Sequence, residues 1–182
     1  MGQDKALIPV GKVPLLLRVC RVAQQCTEQV YVVTPWVERY QGLLAASEPS
    51  VHLIRETPSP GIAAHGPLIG FLQSLPQVQS EWILLLACDL PNLQADVLQQ
   101  WRAALPPQKE IIACLPRHPG GWWEPLCGFY RSKCRASLTA FMQAGGQSFQ
   151  QWLSHQPVQE LPLTDPEMLL NCNTPDDLRQ VE

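Results

Sequence analysis

Short apolar runs alternate with longer stretches of helical periodicity along this sequence of 182 residues. Val30–Thr34, which reads Val-Tyr-Val-Val-Thr and stops at Pro35, is dense in β-branched residues and predicts a buried strand. Val51–Arg55 predicts a second. Trp82–Cys88 is fully apolar, ends in turn chemistry at Asp89 and Pro91, and predicts the most buried strand of all. Ile111–Leu115 and Leu126–Tyr130 complete the strand set. Helical patterns fill the intervals at Pro14–Cys26, Val37–Ala46, Pro67–Leu75, Gln94–Ala104, Lys133–Ala144 and Ser148–His155.

Continuous apolar strands separated by helices of this length imply βαβ units. The expected class is α/β: a three-layer, Rossmann-like fold with a mostly parallel central sheet covered on both faces. No repeat or long linker divides the chain, and its length suits one domain, 1–182. In such folds ligands bind beyond the carboxyl ends of the strands. That rule selects Asp89 after the third strand, Glu56 after the second, and the Gly61–Gly70 loop that opens the next helix.

Composition narrows the function classes. Charged residues are 16% of the chain, below the ~25% usual for globular domains, while the hydrophobic fraction of 46% is ordinary. The 18 prolines are scattered singly rather than gathered into a disordered tail. No apolar run approaches the ~20 residues of a membrane helix, so a membrane partner is not expected. Net charge is −3, which disfavours a nucleic-acid binder. The charge is uneven, however. Lys5, Lys12, Arg18 and Arg21 face only Asp4 in the first 21 residues, a local balance that suits a small anionic ligand. Six carboxylates against Arg179 crowd residues 158–182. Seven cysteines without a Cys-x-x-Cys pair predict unpaired thiols that behave as small hydrophobes. With no apolar leader at the N-terminus, they point to a reducing, cytoplasmic address.

Four segments could carry chemistry, and each also has a plain structural reading. Asp89, in Ala-Cys-Asp-Leu-Pro, is either a carboxylate aimed at the binding edge, suited to magnesium, or the closure of its own turn. Lys5, in Met-Gly-Gln-Asp-Lys-Ala-Leu, is either a phosphate contact or a solvated lysine. Gly66-Pro67-Leu68 is a helix start whose N–H groups could meet an anion or a base carbonyl, or simply a tight loop. Thr174-Pro175-Asp176-Asp177 is a self-explanatory helix cap, which leaves Asn171 and Asn173 before it unexplained.

Taken in order, Met-Gly-x-Asp-Lys-Ala-Leu, Gly-Pro-Leu-x-Gly, Cys-Asp-x-Pro, Pro-Leu-x-x-x-Tyr-Arg and Asn-x-Asn-Thr-Pro-x-Asp-Leu resemble the molybdenum cofactor guanylyltransferases. These belong to the GT-A-like nucleotidyltransferase superfamily. The similarity runs from Met1 to Leu178. It implies transfer of GMP from GTP onto the terminal phosphate of molybdenum-molybdopterin, with release of pyrophosphate and formation of molybdopterin guanine dinucleotide. By resemblance, Lys5 contacts the triphosphate and Asp89 holds magnesium and touches GTP; these two are the expected catalytic residues. Glu56 stands where the family usually has Asp as a nucleotide contact, and the Gly66-Pro67-Leu68 backbone lines the guanine side. Asn171 and Asn173 fall on the pterin or second-metal side. The implied partners are GTP and molybdenum-molybdopterin, with transient contacts to molybdopterin-synthesis proteins and recipient molybdoenzymes. A monomer is the default.

Two departures qualify this. After the Ala144-Gly145 turn the chain reads Gly146-Gln147-Ser148 where relatives often carry a basic residue. In the nearby Arg117–Trp123 loop, Trp122 and Trp123 offer aromatic surface either to a pterin ring or to packing and partners. The larger departure is at the front. Family members place a buried strand and a Leu-Ala-Gly-Gly-x-Ser-x-Arg loop, whose N–H groups wrap the triphosphate, immediately before Met-Gly-x-Asp-Lys. That first strand and its Gly-rich loop are missing from these residues. The sequence therefore reads as a domain begun about a dozen residues late, its basic first 21 residues the remaining half of a triphosphate site, with weak GTP binding expected. The competing expectations are a related cytidylyl- or sugar-nucleotide transferase, or a degenerate domain that binds cofactor or a partner without catalysis.

Overall fold

The computed structural model describes residues 4–48, 50–58 and 66–172. The chain enters through a 3₁₀ turn at Lys5–Leu7 and a short hairpin, β1 (Pro9–Val10) and β2 (Val13–Pro14). Helix α1 (Leu15–Cys26) follows, burying Leu16, Val19, Cys20, Ala23 and Cys26 at helical spacing on one face. Strand β3 (Val30–Thr34), helix α2 (Val37–Ser47) and strand β4 (Val51–Arg55) form a βαβ unit, its strands in parallel register from Val30 opposite Val51 to Thr34 opposite Arg55.

Helix α3 (Pro67–Ser74) leads to β5 (Trp82–Leu86), then α4 (Ala95–Ala103), β6 (Ala113–Pro116) and β7 (Cys127–Arg131). A 3₁₀ turn runs into α5 (Arg135–Gln143), and α6 (Phe149–Leu153) precedes β8 (Val158–Leu161). The strands form a β3–β4 pair and a four-stranded sheet in the order β5-β7-β6-β8.

Side-chain alternation builds the three layers. Ala113, Leu115 and Tyr130 face α3, α5 and α6, while Cys114, Cys127 and Phe129 face α1 and α4. Gly128 permits the close approach of β6 and β7, since a Cβ there would stand 2.7 Å from the Cys114 carbonyl oxygen. The α/β class is as expected, but the sheet is mixed: β7 runs antiparallel to both β5 and β6. The connection from β6 to β7 carries no helix, and a parallel return needs a crossover of roughly a dozen residues or more. β8, reading Val-Gln-Glu-Leu, is absent from the predicted strand set, because it is an edge strand with only Leu161 buried.

The expectation that Trp82–Cys88 would be the most buried strand is overturned. β6 and β7 are buried at every position, whereas β5 is half-buried along its whole length. The physical reason is pairing. β5 has β7 on one edge, and its other edge faces β3 across a cleft.

Arg131 pins the closed side of β5. Its guanidinium, 2% exposed, donates to the carbonyls of Ile111 (3.0 Å), Pro106 (2.8 Å) and Gln108 (3.0 Å), pairs with Glu81 and stacks 4.2 Å over the Trp82 ring. Removing it strands buried carbonyls, so Arg131→Met is expected to cost roughly 3 kcal/mol or more. Glu81 is mostly exposed, and Glu81→Gln should cost less than about 1 kcal/mol. Urea midpoints at unchanged m-value measure both, and equal losses would disprove the account.

Candidate functional site

Glu56 follows β4 directly. Its N–H donates to the Thr34 carbonyl at 2.9 Å, continuing the β3–β4 ladder one step and fixing where the side chain leaves the strand. Gln73 of α3 then clamps Thr57, accepting from its N–H at 2.9 Å and donating to its carbonyl at 2.6 Å. Gly70 makes this close seating possible. A Cβ there would lie 3.2 Å from Glu56 Oε2 and 3.4 Å from Val33 Cγ1. Gly66, at φ 114°, takes a conformation that favours glycine, and Pro67 opens the helix.

Asp89 sits in the turn after β5, held from three directions. The Ala87 N–H donates to the Leu126 carbonyl at 2.8 Å, and the Cys172 N–H donates to the Asp89 carbonyl at 3.0 Å. Arg18 Nη2, reaching up from α1, donates to the Pro91 carbonyl at 3.2 Å. The half-exposed carboxylate is thus carried on a braced backbone.

Two cavities meet at this residue. The larger, about 1510 Å³, has Glu56, Gly66, Pro67, Cys88 and Asp89 among its lining. The smaller, about 140 Å³, is bordered by Asp89, Glu124 and Asn171. Burial pushes the Glu124 carboxyl up, partly offset by the hydrogen bond it accepts from Trp122 Nε1 at 3.2 Å. Sequence reasoning misses Glu124. The available signal is a carboxylate between Trp122-Trp123 and Pro125-Leu126, a strongly apolar setting.

Lys5 lies on the first 3₁₀ turn, within electrostatic reach of Cys88. The turn is anchored by Asp4, whose carboxylate accepts from the Ala6 N–H at 3.1 Å, Arg39 Nη1 at 2.7 Å and Tyr40 Oη at 2.6 Å. Burial raises the Asp4 carboxyl, but the hydrogen bonds from Tyr40, Arg39 and Ala6 together outweigh it and leave it below the usual carboxylate range. Burial, then the bond to Asp4, pushes Tyr40 up to about 12.

Glu56, Gly66, Pro67 and Asp89 therefore share one cavity, and Asn171 joins Asp89 at the other. Leu68 turns its side chain into the core at 4% exposure and does not line either cavity. Asn173 lies outside the described residues. The basic opening stretch does not act as one patch, since Arg21 is ion-paired with Glu48 and Arg18 is committed to Pro91. His118 stacks on Trp122 at 4.0 Å and Arg117 covers Trp123 at 4.2 Å, so one face of each ring is already used within the loop.

Residues 1–159 match the MobA-like NTP transferase domain. The chain belongs to this family. Over its whole length it is 55% identical to a probable molybdenum cofactor guanylyltransferase of Trichormus variabilis, covering 84% of that protein. It is 42% identical to a relative of the same name from Synechococcus elongatus, covering 91% of it. Among solved structures, molybdopterin-guanine dinucleotide biosynthesis protein A from Archaeoglobus fulgidus superposes with a TM-score of 0.75 at 20% identity, covering 100% of this chain and 90% of the other. 4-diphosphocytidyl-2C-methyl-D-erythritol synthase from Anaerococcus prevotii superposes at 0.71 and 10% identity, with 99% and 89% covered. At those identities the structural likenesses establish the fold.

For this MobA-like NTP transferase the donors that could hold a metal are hard carboxylate oxygens, with Asp89 and Glu56 on the larger cavity and Glu124 beside Asp89 on the smaller. Among the described residues no group of three or more His, Cys, Asp or Glu could hold a metal. One or two carboxylates could hold a hard divalent cation that completes its shell with water and phosphate. The described thiols are all unpaired cysteines, six buried and Cys88 exposed. No helix of the described residues is long and apolar enough to cross a membrane.

The anchoring of the Lys5 turn has a pH signature. A carboxylate with a depressed folded value stabilises the fold above its unfolded value, and that contribution is lost as pH falls through the folded value. Asp4→Asn should therefore lower stability by about 1 kcal/mol at pH 7, and the gap to the parent should narrow as pH falls from the ordinary carboxylate value through the depressed Asp4 value. Urea midpoints at pH 7 and pH 3 test this. An equal gap at both values would refute the assignment.

Proposed function

We propose that the chain is a molybdenum cofactor guanylyltransferase that transfers GMP from GTP to molybdenum-molybdopterin and releases pyrophosphate. The observation that carries this is 55% identity along the entire chain to a relative of that name. Cytidylyl-transferring neighbours share the fold at 10–14% identity, so they do not favour a cytidine nucleotide. Conversion to a non-catalytic domain is also not favoured, because Lys5, Asp89 and the Gly66-Pro67 helix start are all retained.

In this reading GTP occupies the carboxyl end of the larger cavity, with its base toward Gly66 and Pro67 and Glu56 beside it. The pterin substrate approaches from the smaller cavity beside Asn171, so that Asp89 stands between donor and acceptor. A terminal phosphate oxygen of the pterin attacks the α-phosphorus of GTP, and the bond to the β-phosphate oxygen breaks. The attacking oxygen is already ionised at neutral pH, so the protein needs no strong general base. Its own residues contribute position and charge. Lys5 offsets the negative charge that develops on the departing pyrophosphate, and the braced Asp89 turn fixes the carboxylate without reorganisation. Magnesium held by Asp89 would supply Lewis-acid neutralisation of the phosphates. The cytoplasm is the proposed compartment, in keeping with unpaired thiols.

Asp89→Ala should reduce magnesium-dependent formation of the guanine dinucleotide by at least about 10²-fold. Retention of normal transfer would exclude the assignment. Base choice is read separately by thermal shift with magnesium. A nucleotide at ~100 Kd adds roughly 2.7 kcal/mol, so GTP should raise the midpoint above CTP and ATP at equal concentration. Equal shifts for all three would rule out guanine selectivity.

A further inference from the structure

Lys5 stands on a single 3₁₀ turn. Two backbone bonds close it, from the Leu7 N–H to the Asp4 carbonyl and from the Ile8 N–H to the Lys5 carbonyl, each 3.1 Å. Bonds of this type have poorer geometry than those of an α-helix, and three residues give little cooperativity. A lysine adds a flexible four-carbon stem to whatever motion its backbone has. Bringing its ammonium to one phosphate therefore demands that something outside the turn hold the backbone still.

That hold comes from α2, where Tyr40 lies 36 residues further along the chain. Asp4 divides its carboxylate between the two. Oδ1 accepts from the Ala6 N–H within the turn, while Oδ2 accepts from Tyr40 Oη at 2.6 Å and Arg39 Nη1 at 2.7 Å. The two outside donors differ in kind. Arg39 keeps 44% of its side chain exposed and lies over the exposed Trp36 ring, so solvent and salt weaken its hold. Tyr40 is 5% exposed and belongs to the same apolar cluster as Ala6, Leu16, Leu17 and Leu44. Its ring cannot swing away without opening that cluster. Phenylalanine would fill the same space, so packing does not account for the hydroxyl, which must find a partner once buried. Leu86, the last residue of β5, packs on this cluster, and Cys88 feels the charges of Asp89, Asp4 and Lys5 together. The turn is thus seated against the end of β5, beside the residue that carries the second charge of the site.

We propose that Tyr40 is a positioning residue for Lys5. Through its hydrogen bond to Asp4 it fixes the turn that presents the lysine ammonium to the pyrophosphate part of a nucleoside triphosphate. It acts through Asp4 and needs no contact of its own with the nucleotide. Asp89 takes its place from β5 and β7, whereas the Lys5 turn takes its place from α2, so the two charges are set by separate elements. This rests on the reading of Lys5 as a phosphate contact, and the test separates the two.

Four chains of 182 residues form a cycle: the parent, Tyr40→Phe, Lys5→Ala and the double variant. Calorimetry measures the binding of inorganic pyrophosphate with magnesium, and amide hydrogen exchange is followed at Ala6, Leu7 and Ile8. Tyr40→Phe should weaken pyrophosphate binding about tenfold in the parent, but less than about twofold where Lys5 is already alanine. Exchange at the three turn amides should quicken at least about tenfold, while the amides of β7 keep their protection. Equal weakening in both backgrounds, or unchanged exchange in the turn, would reduce Tyr40 to a packing residue and overturn the proposal. Loss of protection in β7 along with the turn would mark general destabilisation and overturn it as well. So would Tyr40→Phe binding like the parent while Lys5→Ala binds more weakly, a result that leaves the reading of Lys5 intact. If Lys5→Ala binds like the parent, the reading of Lys5 itself fails, and the role of Tyr40 falls with it.

Discussion

The guanidinium of Arg131 is the interaction on which the arrangement of the site depends. It is the last residue of β7, opposite Trp82, and it gathers the carbonyls of Pro106, Gln108 and Ile111 around the start of β5. A planar fork with several donors in fixed directions can satisfy three carbonyls at once, which a lysine cannot do. The cost of desolvating the charge is met by those bonds and by the Trp82 ring beneath it. With the first residue of β5 held there, the antiparallel register to β7 determines where Leu86 ends and where the Asp89 turn begins.

From that end the chemistry is assembled out of pieces distant in sequence. Arg18 contributes from α1, Leu126 from the loop before β7 and Cys172 from the last described residues, and all three address the backbone around Asp89 rather than its carboxylate. The carboxylate is therefore left facing the cavities while its backbone position is over-determined. Glu56 is placed by different means, a continued parallel ladder and a helix allowed close by Gly70. Two independent devices thus aim two carboxylates at one cavity, and a packing change that moves one need not move the other.

Much of this is legible in the order of the amino acids alone, and the remainder has definite physical reasons. Val30–Thr34 and Val51–Arg55 stand in the fold with the boundaries their sequence predicts, because β-branched runs closed by proline or polar residues leave little ambiguity. Glu56, Gly66, Pro67 and Asp89 can be picked out because strand ends are where α/β proteins bind ligands. β8 escapes notice because an edge strand need not be apolar. The antiparallel sense of β7 is invisible to periodicity, though the helix-free interval before it is a hint. The bracing role of Arg18 and the anchoring role of Asp4 cannot be read from the chain at all. Arg18 meets Pro91, and Asp4 meets Arg39 and Tyr40, pairings that only the fold brings together.

The pairing of β5 also bears on how the chain is made. β3, α2 and β4 are consecutive and can condense as soon as they leave the ribosome. β5 cannot: its partner β7 is synthesised only after α4 and β6. Throughout that interval Trp-Ile-Leu-Leu-Leu is an unprotected apolar segment on a nascent chain, of the kind that nucleates aggregation and attracts chaperones. The time between translation of Leu86 and arrival of Cys127 is thus the interval for which this segment lacks its sheet partner, and slower decoding of that stretch lengthens the exposure.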